Sequence, residues 1–450
     1  MKWVVCQIGA REHYAVARAL HRRGKLAALV TDFWVPPGSW LSRLPGMQRL
    51  RERWHPDLAD AKVLSINAAM LAFELLGKVK RLPMWEGIMA RNAFFQERAL
   101  RLLPTSAPQA PTLFGYSYAA ADLFREAKRR GWTTVLGQID PGPEEERIVG
   151  EVSRRHGVTF EAAPPEYWSE WRKETELADR IVVNSQWSKD CLGKEGVSEA
   201  KIEVVPLAYE QQSVELGAGS VERGGQRSEG GGRSDEWGAE SGEQREWSGE
   251  ARGQKTGSPV KGQRLGKEYP DKFTKERPMR VLFLGQVNVR KGVVELLEAA
   301  RRLKDEPLEF LLVGGAAGGL SFGDLTPNVR AIGAVERGAA NGWYHEADLF
   351  VLPTHSDGFA LTQLEAQAHG LPVVASKYCG DVVRDGVNGV LLKEVSAQAL
   401  VDVLRGLARD PRRLESMARE SHVRGEFSLQ AVGELLTRGA VFKKDGRDAP

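Results

Sequence analysis

Residues 349–392 read LFVLPTHSDGFALTQLEAQAHGLPVVASKYCGDVVRDGVNGVLL, and their order leaves few folds open. A short apolar run from Leu349 to Leu352 stops at Pro353, as a buried strand does when it reaches a loop. The loop Thr354-His355-Ser356-Asp357-Gly358-Phe359 is small and polar, and a helix is predicted to start near Ala360. Gly370-Leu371-Pro372 ends that helix before a second buried strand, Val373-Val374-Ala375. Strand, glycine-bearing loop and helix N-terminus aim unpaired backbone N–H groups and a positive dipole end at an anion.

Two carboxylates bracket this loop. Asp357 stands in it, and Glu365 follows eight positions later. A helix rises about 1.5 Å per residue, so the two acids reach different parts of one elongated ligand whose negative middle sits over the N–H groups. A nucleotide-sugar has that layout of sugar hydroxyls, pyrophosphate and ribose hydroxyls. The plainer alternative is a Rossmann-like unit in which Glu365 is a solvated helix residue.

The wording of the segment adds to this. DGFALTQLEAQAHGLPVVAS resembles the donor-binding run "EGFGLxxxEAMAxGxPVVAS" of family-4 glycosyltransferases. Gly358, Phe359, Leu361, Glu365, Gly370 and Pro372 match, while Asp357 replaces the first Glu and Ala360 the middle glycine. The resemblance implies a GT-B fold: α/β, two Rossmann-like doubly wound domains facing a central cleft. It implies that Asp357 meets the donor sugar, that Glu365 meets the ribose, and that Gly358, Phe359, Ala360 and Leu361 line the donor between them. The segment LGQVNVRKG resembles the family turn "GRxxxxKG", whose cations neutralise the pyrophosphate. Lys291 falls on the Lys and Gln286 on the Arg; with Gly285 and Arg290 they complete the expected donor contacts. GDVVRDGVNG and ELADRIVVNSQWSKDCL also follow family phrases, so the resemblance covers about 380 residues. It further implies retention of anomeric configuration and transfer that needs neither metal nor cofactor.

The chain opens with a βαβ pattern: strand Lys2–Ile8, helix Tyr14–Arg23, strand Leu26–Val30. In GT-B enzymes the loop after the first strand lies near the reacting sugar, which makes Gly9 a donor contact and His13 a catalytic candidate beside Asp357 and Lys291. His13 as a packed residue at a helix start is the equal alternative. Residues 56–103 read as helical, with Trp85, Phe94 and Phe95 in the core. Strands are expected at Pro111–Tyr116 and Thr133–Gln138, the latter leading to Asp140. A second series begins with strands Arg280–Gly285 and Leu308–Val313, and helical periodicity runs from Ser396 to Leu436.

The resulting boundaries are 1–209 for an acceptor-side domain, 210–270 for an insert and linker, 271–425 for the donor domain, and 426–450 for a last helix that crosses back. Residues 211–265 hold 13 Gly and almost no aliphatic side chains, too little apolar surface to fold. Cys6, Cys191 and Cys379 lie far apart without metal-ligand spacing, and the expectation is buried thiols in a cytoplasmic protein. Residues 1–130 carry 21 Lys and Arg against 10 Asp and Glu, so the net charge of +3 hides a basic N-terminal part. That asymmetry suits peripheral contact with an anionic membrane face, and residues 40–54, rich in Trp, Leu and Arg, are the sequence candidate; no nucleic-acid partner is expected. The acceptor, whether glycan, lipid or small molecule, is left open. Hydrolysis is disfavoured because both acids sit on one segment, whereas a glycosidase opposes two across the sugar. A nucleotide-sugar sensor or epimerase remains the alternative to a transferase.

Overall fold

The computed structural model describes residues 1–39, 50, 52–104, 111–210, 267–317 and 325–438. Most of the 40–54 segment and all of the 211–265 insert lie outside the described residues. The described chain forms two compact units: one of residues 1–144, 162–210 and 424–438, the other of 145–161 and 267–423.

The first unit is built on seven parallel strands: β1 (Trp3–Gln7), β2 (Leu26–Thr31), β3 (Val63–Ser65), β4 (Thr112–Tyr116), β5 (Thr133–Gly137), β6 (Arg180–Val183) and β7 (Ile202–Val204). Their order is β3-β2-β1-β4-β5-β6-β7. The crossovers use α1 (Ala15–Arg22), α2 (Asn67–Lys80), α3 (Met84–Leu100), α4 (Ala121–Arg129), α5 (Pro143–Arg155), α6 (Pro165–Leu177) and α7 (Gln186–Lys194). From Glu145 onward α5 is grouped with the second unit. Parallel strands covered by helices on both faces read as unbroken apolar runs, which is why WVVCQ and RIVV are buried throughout.

The second unit has six parallel strands: β8 (Met279–Leu284), β9 (Leu308–Val313), β10 (Val329–Gly333), β11 (Leu349–Leu352), β12 (Val373–Ser376) and β13 (Gly389–Leu392). They lie in the order β10-β9-β8-β11-β12-β13. Its helices are α8 (Val293–Arg302), α9 (Arg337–Glu346), α10 (Leu361–Ala368), α11 (Ala397–Arg409) and α12 (Pro411–Arg419). Phe283, Phe310, Phe350, Leu371 and Leu404 share one core. The last helix, α13 (Leu429–Arg438), is counted with the first unit. Its Leu429, Val432 and Leu436 share a core with Trp3 and Leu20, and Arg180 donates from Nη1 to the Leu436 carbonyl at 3.1 Å.

Two expectations change. Residues 56–103 are not helical throughout, because β3 occupies Val63–Ser65 and adds a strand beside β2. Trp85 is half-buried rather than core, its ring 5.0 Å from Tyr167, whereas Phe95 is buried. The three cysteines are free and buried. No helix among the described residues is long and apolar enough to cross a membrane.

Candidate functional site

In the second unit β8 ends at Leu284, and Gly285, Gln286, Val287 and Asn288 lead into a single 3-10 turn, Val289–Lys291. Asn288 caps that turn, its Oδ1 accepting the Lys291 N–H at 3.0 Å. Gly292 then takes a left-handed conformation, φ +70°, before α8 begins. A Cβ there would lie 1.9 Å from the Pro353 carbonyl oxygen, so only glycine lets the turn pack this closely on the loop after β11. The two loops are stitched further: His355 N–H and Thr354 Oγ1 both donate to the Arg290 carbonyl, at 2.8 and 3.0 Å.

This contact brings cations and acid together from 66 residues apart. Lys291 Nζ pairs with Asp357 Oδ2, and Arg290 Nη1 lies 3.7 Å from Asp357 Oδ1. Burial works against a charged Asp357, but Lys291, Arg290 and the Phe359 N–H outweigh it and hold its carboxyl below the usual range. The carboxyl therefore stays ionised and acceptor-only. Arg290 Nη1 also donates to the Ser356 carbonyl at 3.3 Å and to Glu145 Oε1 at 3.4 Å. Gln286 is exposed at the rim of the turn and accepts from Asn288 Nδ2 at 3.4 Å.

The α10 end differs from expectation in one detail. The Ala360 N–H donates to the Cys379 carbonyl at 3.1 Å and the Asp357 N–H to the Tyr378 carbonyl at 2.8 Å. Neither amide is therefore left for an anion, and the other amides at the helix mouth are that of Gly358 in the loop and those of Leu361 and Thr362 in the first turn. Gly358 and Phe359 are buried. Glu365 sits half-buried, and its Oε2 accepts from Tyr344 Oη at 2.8 Å. Tyr344 is 1% exposed and stacks on His369 at 5.0 Å, while His369 Nδ1 lies 2.9 Å from the Glu365 carbonyl.

Several of these partners are invisible to motif reading. Glu145 accepts from Ser356 Oγ at 2.9 Å, and both His355 and His156 hold Glu295 Oε1, at 2.9 and 3.0 Å. Burial raises the Glu295 carboxyl, but the two imidazoles more than reverse that. Glu145 and His156 stand 145 and 139 positions from their partners, a separation no local periodicity encodes. Tyr344 carried no signal beyond its place in an amphipathic helix.

Gly9 and His13 lie in the first unit, in the loop after β1. Gly9 has φ +81° and donates its N–H to the buried Asp32 Oδ1 at 2.9 Å. Glu12, His13 and Tyr14 follow with φ of +51°, +52° and +60°. Three consecutive left-handed non-glycine residues cost about 1–3 kcal/mol each, strain of the kind that collects at binding loops. At the end of β4 the α4 N-terminus is already occupied by a buried side chain. The Glu174 carboxyl group, 1% exposed, accepts the Tyr118 and Ala120 N–H groups at 2.6 and 2.7 Å, and burial pushes its pKa up to about 8, which favours the neutral acid. Asp140 and Gln138 are tied into the same unit through Tyr118 and Trp171.

Residues 278–410 match the family described as Glycosyl transferases group 1. D-inositol 3-phosphate glycosyltransferase of Xylanimonas cellulosilytica is 35% identical over 150 residues, 31% of this chain and 36% of that protein. Amylovoran biosynthesis glycosyltransferase AmsK of Erwinia amylovora is 30% identical over 203 residues, 39% of this chain and 50% of that protein. The chain thus spans half or less of these curated relatives. Sucrose-phosphate synthase of Thermosynechococcus elongatus shares the fold with a TM-score of 0.59 at 16% identity, covering 97% of this chain and 98% of that one. HepE of Anabaena, in complex with UDP, does so with a TM-score of 0.55 at 14% identity, covering 98% and 99%. By sequence, residues 278–410 are a domain of the Glycosyl transferases group 1 family, and the fold of the chain is the one found in these solved glycosyltransferase structures.

Proposed function

We propose that the protein transfers a sugar from a nucleotide-sugar donor to an acceptor, with retention and without a metal ion. The observation that carries this reading is the meeting of Lys291 and Arg290 with Asp357 at the mouth of α10, inside a group 1 domain. Negative charge grows on the leaving diphosphate as the glycosidic bond breaks, and stabilising it is the largest contribution a protein can make. Lys291, Arg290 and the amides of Gly358, Leu361 and Thr362 supply that stabilisation. An ionised Asp357 accepts hydrogen bonds from the sugar's hydroxyl groups, and Glu365 accepts from the ribose; both fix the donor's orientation. Gly9 and His13 are proposed to contact the sugar, and Gln286 borders the phosphates. The acceptor is a hydroxyl-bearing molecule of unassigned class.

The test is a mass-spectrometric screen of the full chain against a panel of nucleotide-sugars, beginning with UDP-sugars since HepE was solved with UDP. Release of nucleoside diphosphate from one donor, undiminished by EDTA, supports the reading. Absence of turnover and of binding across the panel contradicts it, and turnover abolished by EDTA contradicts its metal independence.

A further inference from the structure

Helix α2 is amphipathic in an unusual sense: it is apolar on both sides. Its inner side is anchored in the first unit by Met70, fully buried, and by Phe73, whose ring stacks on Phe94 at 4.6 Å. Its outer side repeats apolar residues at the spacing of one helical face. Ala72, Leu75, Leu76 and Val79 stand at i, i+3, i+4 and i+7, and all are exposed. Leu75 is 54% exposed, Leu76 60% and Val79 81%, and Leu82 continues the ridge past the helix end at 37%. These are four of the seven large hydrophobic side chains that stand exposed among the described residues. Isolated exposed apolar side chains are ordinary, but a contiguous ridge marks a surface that something covers.

The charges around the ridge select the occupant. Lys80 and Arg81 are exposed between Val79 and Leu82. The acid on the helix, Glu74, is turned inward and engaged by Arg91 Nε at 2.8 Å. The chain around them carries the surplus of 11 positive charges over residues 1–130. A helix of 14 residues is about 21 Å long and lies flat on a bilayer surface with leucines in the acyl boundary and cations at the headgroups. A protein partner would satisfy the leucines, but it gives no reason for the basic end and the basic half to coincide with them.

We propose that the outer face of α2, from Leu75 to Leu82, docks the protein on an anionic lipid surface. The contact is peripheral: the leucines and Val79 enter the interface and Lys80 and Arg81 pair with lipid phosphates. This inference stands apart from the donor reading, since it concerns a different face and its test contains no nucleotide-sugar.

The experiment is sedimentation of the full chain with vesicles of phosphatidylglycerol and phosphatidylcholine, and of phosphatidylcholine alone. Two paired variants are compared: Leu76→Ser with Val79→Ser, and Lys80→Gln with Arg81→Gln. Binding to the anionic vesicles that weakens with salt, and that drops about tenfold or more in each variant, supports the proposal. Failure of the parent chain to pellet with anionic vesicles overturns it, as does pelleting unchanged in both variants. Two further outcomes would overturn it while naming another occupant. A lower melting temperature in the serine variant with unchanged pelleting would mean that the ridge is packed within the chain itself. Loss of a concentration-dependent dimer in that variant, with lipid binding unchanged, would mean that a second copy does.

Discussion

A lysine that neutralises a phosphate and a lysine that merely decorates a surface differ in what they touch. Lys291 is largely buried against Asp357, with Arg290 beside it, so its charge is held at one place. Replacing Lys291 by Ala is expected to weaken donor use by about 1–3 kcal/mol, the scale of a lost charge-assisted bond. Glu365→Ala should cost about the same. Steady-state donor kinetics check both, and parent-like values would remove these residues from the site. Tyr344 acts one step further out. Its hydroxyl donates to Glu365 Oε2, and Tyr344→Phe removes that hydrogen bond while leaving the carboxylate in place. The expected result is a smaller preference for ribonucleoside over 2′-deoxyribonucleoside diphosphates, read as the ratio of dissociation constants. Glu365→Gln serves as the comparison. A ratio lost in Glu365→Gln but kept in Tyr344→Phe would deny Tyr344 this role and leave Glu365 its own.

The elements that carry the site were legible where their signals are local. β11, the Asp357 loop, α10 and β12 lie within one run of residues, each punctuated by proline or glycine, and their bounds fall within a residue or two of the sequence reading. Strand β3 was not legible, because VLS is three half-buried residues between longer helical patterns. The clasp of Glu145 and His156 on the donor-side loops was equally hidden, since it joins residues more than a hundred positions apart. The pairing of the Ala360 amide was hidden for a related reason: spacing along the chain locates a helix mouth, but the Cys379 carbonyl that occupies one of its donors comes from after the next strand. Helices α9 and α10 also carry a pH dependence. Burial lowers the pKa of His345 and of His369 below the ordinary 6.5. The unfolded chain then binds more protons than the folded one below about pH 6.5, so stability present at neutral pH is lost as pH falls. Thermal melts between pH 5 and 8 should show this loss, reduced in His369→Gln; an unchanged slope in that variant would place the titrating group elsewhere.

At the scale of the molecule, two doubly wound units are each closed by chain that is distant in sequence. The clearest case is α13, whose Leu429, Val432 and Leu436 are buried with Trp3 and Leu20 in the first unit. Burying such a side chain contributes about 1.5–3 kcal/mol, so ending the chain before Arg424 should cost several kcal/mol and expose the α1 surface. Urea unfolding followed by tryptophan fluorescence checks this, and an unchanged midpoint would mean that α13 contributes little. The central claim concerns the second unit, where a diphosphate is to lie between Lys291 and the start of α10. The most direct measurement is a crystal structure of the protein with a nucleoside diphosphate bound. The account predicts phosphate oxygens within hydrogen-bond reach of Lys291 Nζ and the Gly358 and Leu361 amides, and ribose hydroxyls on Glu365. A nucleotide bound away from these groups, or with its ribose turned from Glu365, would contradict it.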